Sequence, residues 1–154
     1  MESILKYEIG KIGYEEFISF MDKQANDTFP TLLDEKWRLT FSNKLYFNAE
    51  FCFCRANNAL IGMIAFYANR KDVDFAYLPH IYVSPEYRGQ GVFAQMFQLV
   101  EKEIALRGFS GIKLQVDTTN IRGQHAYMKQ GFVMGKAANL DSIYMEKKSK
   151  DKHS

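Results

Sequence analysis

Hydrophobic positions along the chain follow two spacings. Apolar residues three and four positions apart predict helices in "YEEFISFMDKQ", in a segment that begins near Pro30–Thr31, and in a long stretch from Gly91 to Arg107. A fourth, short helix is expected in "DTTNIRGQHAYMKQGF", where polar capping residues come first and Gly131 ends the helix. Strand-length apolar runs predict strands in "SILKYEI", "AEFCFCRA", "ALIGMIAFYA", "FAYLPHIYV", "GIKLQV", "FVMG" and "SIYMEK".

The order of these elements predicts one mixed α/β domain. Strands and helices follow one another as β-α-α-β-β-β-α-β-α-β-β. Asn57-Asn58 separates the second and third strands, and because Asn tolerates positive φ this pair predicts a hairpin with a two-residue turn. The long helix should join the fourth and fifth strands in the right-handed sense, which makes them parallel. We expect the domain to span residues 1–146 and a polar tail to span residues 147–154.

Composition excludes several kinds of partner. The 154 residues carry 20 Lys and Arg against 18 Asp and Glu, a balance that favours neither nucleic acid nor a membrane surface. The first residues lack the pattern of a signal peptide, and no apolar stretch is long enough to span a membrane, so we expect a cytoplasmic protein. Cys52 and Cys54 should lie reduced on one face of a strand, and the sequence offers no metal site around them.

The turn "YVSPEYRGQG" joins the fourth strand to the long helix. Unpaired amides and partial positive charge at a helix N-terminus attract phosphate, and glycine lets an anion approach the backbone closely. Gly89 and Gly91 lie where the turn enters the helix, and Arg88 adds a full positive charge. The spacing matches neither a P-loop nor the dinucleotide fingerprint. The turn therefore predicts either a diphosphate site or a glycine turn that serves only chain reversal.

A second group of residues follows the next strand and favours the first alternative. Val83, Pro85, Arg88, Gly89 and Gly91 fit a V-x-P-x-x-R-G-x-G pattern, and Asn120, Tyr127, Gly131 and Phe132 fit an N-x-x-x-x-x-x-Y-x-x-x-G-F pattern. Together the two segments resemble the GNAT superfamily of acyl-CoA N-acyltransferases. The resemblance is specific from about Ala59 to Phe132 and weak over residues 1–48.

The resemblance implies a fold and a cofactor site. The fold would be a mostly antiparallel twisted sheet with a central parallel pair, formed by the fourth and fifth strands, and about four helices. The two parallel strands would splay apart and hold the pantetheine arm of acetyl-CoA between them. Backbone groups would line that arm at Ile81, Tyr82 and Val83. The pyrophosphate would lie against Arg88 and the amides of Gly89, Gln90, Gly91, Val92, Phe93 and Ala94.

The resemblance also implies catalytic roles. Asn120 would bind the cofactor through its side-chain amide, and Tyr127 would protonate the leaving thiolate. Some relatives carry a Glu at the place of Gln115 and others at the place of Pro79, so neither carboxylate that serves as a base is present here. His80 is the nearest titratable substitute, and it is either the base or a histidine that only hydrogen-bonds beside the sheet.

Phe93 is a further departure, because the family usually has Gly or Ala at that position. Its amide survives, so phosphate binding requires only that the ring point away from the ligand.

Three functions remain open at this point. The leading hypothesis is an acetyl-CoA-dependent N-acetyltransferase without a metal, acting on a small-molecule amine rather than a protein, and it allows a homodimer. The alternatives are O-acetylation of a sugar-like hydroxyl and a non-catalytic acyl-CoA-binding module. The acceptor should lie near the first two helices, the loop "NRKDVDFAY" and the late hairpin. That region is rich in aromatic residues and has no dominant acidic cluster, which disfavours a polyamine; the aromatic residues are Phe29, Trp37, Phe41, Tyr46 and Phe47.

Overall fold

The computed structural model describes residues 4–27 and 30–149. Within these residues it contains the four expected helices and seven strands. The helices are α1 (Tyr14–Gln24), α2 (Glu35–Asn48), α3 (Val92–Leu106) and α4 (Ile121–Lys129). The strands are β1 (Leu5–Gly10), β2 (Glu50–Ala56), β3 (Ala59–Tyr67), β4 (Phe75–Val83), β5 (Gly111–Asp117), β6 (Val133–Ala137) and β7 (Ser142–Lys148). Short 3₁₀ turns lie at Pro30–Leu33 and Pro85–Tyr87.

The seven strands form one sheet in the order β1-β2-β3-β4-β5-β7-β6. Every neighbouring pair is antiparallel except β4 and β5, which are parallel and joined by α3. The predicted fold class and the parallel central pair are confirmed. The turn between β2 and β3 has positive φ at both Asn57 (51°) and Asn58 (73°), which confirms the predicted two-residue hairpin.

Helices cover both faces of the sheet. The apolar stripe of α3, which includes Val92, Met96, Val100 and Ile104, packs on one face together with Cys52 and Cys54. The two thiols are buried and free, as the strand alternation predicts. Helices α1 and α2 pack on the opposite face around Phe17, Met21 and Leu45. The two faces are called the α3 face and the α1–α2 face below.

The second helix begins later than its apolar pattern suggests. Residues 30–33 form the 3₁₀ turn, and α2 begins at Glu35 because the Asp34 side chain accepts a hydrogen bond from the Trp37 amide at 3.0 Å. Leu33 and Trp37 lie exposed rather than in the core. Phe29, which the sequence placed in the acceptor region, lies outside the described residues.

The predicted domain boundary at residue 146 falls inside the last strand. Strand β7 continues to Lys148, which pairs with Gly111 of β5. Lys147 forms an ion pair with Glu101 of α3 at 2.6 Å, and the Ser149 amide donates to the Ser110 carbonyl at 2.8 Å. Polar side chains can continue a strand when its backbone is paired, so charge alone did not mark the end of the domain. Residues 150–154 lie outside the described part of the chain.

Candidate active site

Strands β4 and β5 part halfway along their length. Their parallel pairing begins at Phe75 with Gly111 and ends at Leu78 with Leu114. The next residues, Pro79 and Gln115, have no partner across the gap in this pairing. Pro79 also has no N–H to offer a neighbouring strand. The two strands therefore diverge from Pro79 onward and leave an opening between them.

A β-bulge in β4 lies at the same point. Ala65 of β3 pairs with His80, and Tyr67, two residues further, pairs with Tyr77, so β4 contains one extra residue. The extra residue reverses which side chains face which layer. Ala76 and Leu78 pack on the α3 face before the bulge, and Ile81 and Val83 do so after it. His80 and Tyr82 consequently point to the α1–α2 face.

Backbone groups of β4 line the opening at alternate positions. The Ser84 amide donates to the Ile61 carbonyl at 2.8 Å, which identifies this pair as hydrogen-bonded in the antiparallel ladder. By alternation, the peptide groups of Ile81 and Val83 point away from β3 and toward the opening. These two residues fit the predicted pantetheine contacts.

Tyr82 is placed differently, because its peptide groups face β3. Its carbonyl oxygen would lie 3.4 Å from a Cβ built on Gly62 of that strand. The prediction that its backbone contacts the cofactor therefore has no support in this register.

The glycine turn has the conformation that an anion site requires. Gly89 and Gly91 have φ values of +75° and +84°, and a Cβ built at either position has no neighbouring atom within 4 Å. The glycines are therefore needed for backbone conformation, and the space beside them is open. The first hydrogen bond of α3 runs from the Gln95 amide to the Gly91 carbonyl at 3.0 Å.

The start of α3 consequently presents amide donors that have no hydrogen-bond partner among residues 4–27 and 30–149. The amides of Val92, Phe93 and Ala94 precede that first helical bond, and Gly91 at the N-cap offers no side chain to pair with them. Gln90 directs its side chain elsewhere, because its Nε2 donates to the Glu86 carbonyl at 2.9 Å. Unpaired amides, an open approach and diverging strands together fit the diphosphate and pantetheine parts of an acyl-CoA.

Arg88, a predicted pyrophosphate contact, is engaged by groups of the protein itself. Its guanidinium binds the Asp27 carboxylate, its Nε donates to the Val83 carbonyl at 2.9 Å, and it lies 5.4 Å from the centroid of the Tyr82 ring. The Tyr82 hydroxyl donates to the same Asp27 carboxylate at 2.6 Å. Burial opposes ionisation of Asp27, but these two hydrogen bonds hold its pKa below the usual value. The charge of Arg88 is already paired, so the amides are the better candidates for the phosphate contacts.

Asn120 is the N-cap residue of α4. Its Oδ1 accepts a hydrogen bond from the Gly123 amide at 2.9 Å, which caps the helix. A Cβ at Gly123 would lie 2.5 Å from the Asn120 Nδ2, so glycine at 123 lets the cap close. The side-chain Nδ2 of Asn120 donates no hydrogen bond within the described part of the chain, and it stays a predicted cofactor ligand.

Tyr127 lies on the α3 face among aromatic rings. The Phe93 ring is 5.7 Å away at 73° and the Phe132 ring is 6.1 Å away at 62°, both edge-to-face arrangements. Burial raises the pKa of Tyr127 to about 12, so the phenol keeps its proton at neutral pH. Phe93 turns its ring into this cluster and away from the helix start, as phosphate binding there requires.

His80 is enclosed on the opposite face. Its side chain is 6% exposed, its Nε2 lies 2.7 Å from the Gln24 Oε1, and the Phe41 ring packs edge-to-face against it at 5.5 Å. Burial lowers the pKa of His80 to about 4. The base role of His80 stays a prediction, and these contacts favour the structural alternative, because a buried and engaged ring cannot reach a substrate.

A cleft of about 710 Å³ opens on the α1–α2 face at the point where the strands part. It includes Pro79 and Gln115, the first residue of each strand beyond the β4–β5 pairing. The Trp37 and Phe41 rings stack at 4.9 Å and 19° on one side, and Trp37 is 45% exposed. The remaining described residues of the lining are Tyr77, Asp117, Asn139, Leu140, Asp141 and Ser142.

Residues of β5 and of the hairpin between β6 and β7 form one wall of the cleft. The sequence analysis did not predict that their polar side chains meet there. Gln115 Nε2 donates to Ser142 Oγ at 2.6 Å, and Ser142 Oγ donates to Asn139 Oδ1 at 3.0 Å. The Thr118 amide donates to the Asp141 carbonyl at 2.8 Å, which holds Asp141 beside the end of β5. Asp117 and Asp141 are 24 residues apart, so only the pairing of β5 with β7 brings them to one cleft.

Two further searches concern metals and membranes. Among the described residues, His, Cys, Asp and Glu form no group of three or more that could hold a metal ion. None of the helices in that part of the chain has the length and apolar character needed to cross a membrane.

Comparison with known proteins identifies relatives of the chain. Residues 14–132 match the Acetyltransferase (GNAT) family. Streptothricin acetyltransferase of Escherichia coli is 36% identical over 62 residues, which cover 40% of this chain and only 36% of that relative. A nourseothricin acetyltransferase structure has a TM-score of 0.62 at 21% identity, covering 67% of this chain and 66% of that one.

A longer structural match comes from the PaiA N-acetyltransferase of Thermoplasma acidophilum in complex with coenzyme A. Its TM-score is 0.75 at 22% identity, and the match covers 93% of this chain and 99% of that chain. At this identity the likeness shows the fold alone. The family match itself spans well over half of the chain and includes the opening, the glycine turn and α4. The chain therefore belongs to the Acetyltransferase (GNAT) family, whose members use acyl-CoA.

Proposed function

We propose that the protein is an acetyl-CoA-dependent N-acetyltransferase that acts on an amine of a small molecule. The observation that carries the proposal is the junction at Pro79 and Gln115. The glycine turn and α3 lead into the opening from one side, and the cleft reaches the same opening from the α1–α2 face. A thioester held between the strands would therefore be accessible to an acceptor in the cleft.

The chemistry asks little of the side chains. The amine nitrogen attacks the thioester carbonyl carbon, the C–N bond forms and the C–S bond breaks. A backbone N–H of β4 that points into the opening stabilises the negative charge on the carbonyl oxygen. Tyr127 gives its proton to the departing sulfur and regains one from solvent. Because His80 is enclosed, the amine loses its proton to water, and positioning of the two substrates supplies much of the rate.

The cleft supports a cationic amine as acceptor. Its described lining contains two carboxylates, Asp117 and Asp141, and no Lys, Arg or His. Hydrogen bonds from Thr119 lower the pKa of Asp117, which keeps that carboxylate ionised and makes it a better partner for a cation than a proton acceptor. The stacked indole and phenyl rings offer an apolar or cation–π contact. The names of the streptothricin and nourseothricin relatives favour a small molecule over a protein.

The test is a turnover assay with a panel of amines. Release of free thiol from acetyl-CoA is measured with benzylamine, tryptamine, spermidine, lysine and an alanyl peptide, and mass spectrometry identifies the acetylated product. We expect N-acetylation of at least one small amine, with a lower kcat/KM for the peptide. A hydroxyl panel of amino-free sugars serves as the comparison, and faster transfer to a sugar hydroxyl would favour O-acetylation.

Calorimetry with coenzyme A, combined with the turnover assay, distinguishes an enzyme from a non-catalytic acyl-CoA-binding module. Binding of coenzyme A without thiol release across both panels would indicate an acyl-CoA-binding module. Asp141→Asn is the matched cleft variant, because it removes one charge with little change in shape. It should raise KM for the preferred amine while the Kd for coenzyme A stays unchanged.

A further inference from the structure

The backbone and the side chain of Phe93 lie in different parts of the site. It is the second residue of α3, where the resemblance leads one to expect Gly or Ala, and its amide is one of the unpaired donors at the helix start. Its ring points the opposite way and contacts two other rings, Phe97 at 5.9 Å and Tyr127 at 5.7 Å. Phe132 completes this aromatic cluster, at 5.4 Å from Phe97 and 6.1 Å from Tyr127.

The orientation of the Tyr127 side chain depends on these ring contacts. Its hydroxyl makes no hydrogen bond to any residue in the described ranges 4–27 and 30–149, so no polar contact within them fixes the direction of the phenol. Helix α4 has only nine residues and buries little of its own surface, with Gln124 its one buried residue. Two edge-to-face neighbours, Phe93 and Phe132, therefore hold the ring.

Phe132 and Phe93, the two neighbours of the Tyr127 ring, belong to different segments of the chain. Phe132 follows the end of α4 by three residues, and its amide donates to the Tyr127 carbonyl at 3.1 Å, so it belongs to the same segment as Tyr127. Phe93 belongs to the first turn of α3, whose first amides precede the hydrogen bond from Gln95 to Gly91 and are the candidates for the diphosphate. The Phe93 ring is thus the contact that ties the position of Tyr127 to the cofactor side of the site.

We propose that Phe93 is a positioning residue for Tyr127, and that its ring fixes the phenol at the opening between β4 and β5. This inference rests on the proposed function, in which Tyr127 protonates the departing thiolate. Phe93 then contributes to the reaction through Tyr127 and contributes to cofactor binding only through its backbone amide. The two contributions can be separated, because a side-chain substitution leaves the amide in place.

The first test is Phe93→Ala, which installs a residue that the resemblance leads one to expect. We expect kcat to fall about tenfold with the best amine of the panel, because the phenol is no longer held in place. The Kd for coenzyme A, measured by calorimetry, should stay within about twofold of the wild-type value. A fall in kcat at constant Kd is what a positioning role predicts and a phosphate-site role does not.

A double-mutant cycle with Tyr127→Phe shows whether the effect passes through the phenol. If Phe93 acts by positioning the hydroxyl, Phe93→Ala should cost less than about twofold in kcat once that hydroxyl is gone. The alkaline limb of the kcat profile is a second readout. Opening the cluster to water should move that limb to lower pH in Phe93→Ala, because the phenol is no longer shielded.

Two further variants control for loss of packing. Phe109→Ala removes a partly buried ring from the same core at the other end of α3, and it should lower the unfolding midpoint without lowering kcat. Phe93→Leu keeps most of the buried volume and remains testable if Phe93→Ala does not fold. It should lower kcat about threefold, again only while the Tyr127 hydroxyl is present.

The outcomes distinguish the inference from the function on which it rests. Equal losses of kcat with and without the Tyr127 hydroxyl, or an unchanged kcat in both Phe93 variants, would overturn the positioning role while wild-type acetyl transfer stands. A wild-type protein that binds coenzyme A but transfers no acetyl group to any panel member would overturn the proposed function itself. A weaker Kd for coenzyme A in Phe93→Ala, with kcat unchanged, would assign the ring to the cofactor site instead.

Discussion

Tyr127 and His80 lie on opposite faces of the sheet and are held there in different ways. On the α3 face, the Tyr127 ring is enclosed by aromatic neighbours while its hydroxyl has no hydrogen-bond partner among the described residues. On the α1–α2 face, the His80 ring is enclosed and its Nε2 is within hydrogen-bond distance of Gln24. Burial moves both pKa values away from neutrality, to about 12 for Tyr127 and about 4 for His80.

The consequences for function are opposite. A phenol with a raised pKa stays protonated and can still donate its proton to a leaving group. An imidazole with a lowered pKa stays neutral, but this one is covered by Phe41 and engaged by Gln24, so it is not available to a substrate. A buried titratable group is thus useful for catalysis only where its reacting atom remains accessible.

The largest effect that we expect from this difference is a loss of folding stability at acid pH caused by His80. Its folded-state pKa of about 4 lies below the unfolded value near 6.5, so the unfolded chain takes up a proton first as the pH falls. His80 should therefore lower the free energy of unfolding progressively as the pH falls from about 6.5 to 4, by on the order of 3 kcal/mol in total. Above pH 6.5 it adds no pH dependence.

Chemical denaturation of wild type and His80→Gln across this range gives the measurement. The glutamine can still hydrogen-bond Gln24 but cannot be protonated, so the difference in unfolding free energy between the two proteins should change between pH 6.5 and 4. His125→Gln is the control, because that side chain is exposed on α4. A constant difference for His80→Gln, together with a loss of kcat/KM beyond tenfold, would return His80 to the base role.

Tyr127→Phe tests the other face. Removing the hydroxyl should lower kcat by on the order of 10²-fold, because the thiolate then leaves without a proton donor. The Kd for coenzyme A should change little, since the ring contacts with Phe93 and Phe132 remain. Stopped-flow measurement of thiol release under single-turnover conditions gives the rate of the chemical step. An unchanged rate in that assay would leave Tyr127 as a packing residue.

Gly91→Val tests whether the start of α3 binds the diphosphate. A bulky side chain there should block approach to the amides and weaken coenzyme A binding at least tenfold, or about 1.4 kcal/mol, as measured by calorimetry. Gly108→Val is a matched control, because Gly108 has φ +88° and equally open surroundings at the other end of the same helix. Both variants carry backbone strain. Equal affinities in the two variants would remove the diphosphate site from the glycine turn.

Tyr82→Phe should have the smallest effect. It removes the 2.6 Å hydrogen bond from the Tyr82 hydroxyl to Asp27 and leaves the ion pair between Asp27 and Arg88 in place. We expect a loss of about 1 kcal/mol in unfolding free energy and no change in the Kd for coenzyme A. A clear weakening of cofactor binding would show that this pair of side chains sets the geometry of the glycine turn.

The sequence by itself determined the order and type of the elements. Apolar spacing predicted the helices, Asn57-Asn58 predicted the hairpin, and the α3 crossover predicted the parallel pair. Each of these signals lies within a short stretch of the chain and can be recognised without the fold. The two motifs on either side of β5 predicted the family for the same reason: their residues lie close together in sequence. Glycines at the start of α3 and Tyr127 on α4 belong to this predictable part.

The tertiary structure alone decided which side chains share a site. The bulge at Pro79 turns His80 toward α1 and α2, where Gln24 and Phe41 enclose it, and the apolar pattern of β4 does not reveal this change of face. Asp27, distant in sequence, neutralises Arg88, and pairing of β5 with β7 brings Asp141 beside Asp117. These contacts depend on packing between distant segments, so burial, pKa and charge pairing at the site emerge only when the chain is folded.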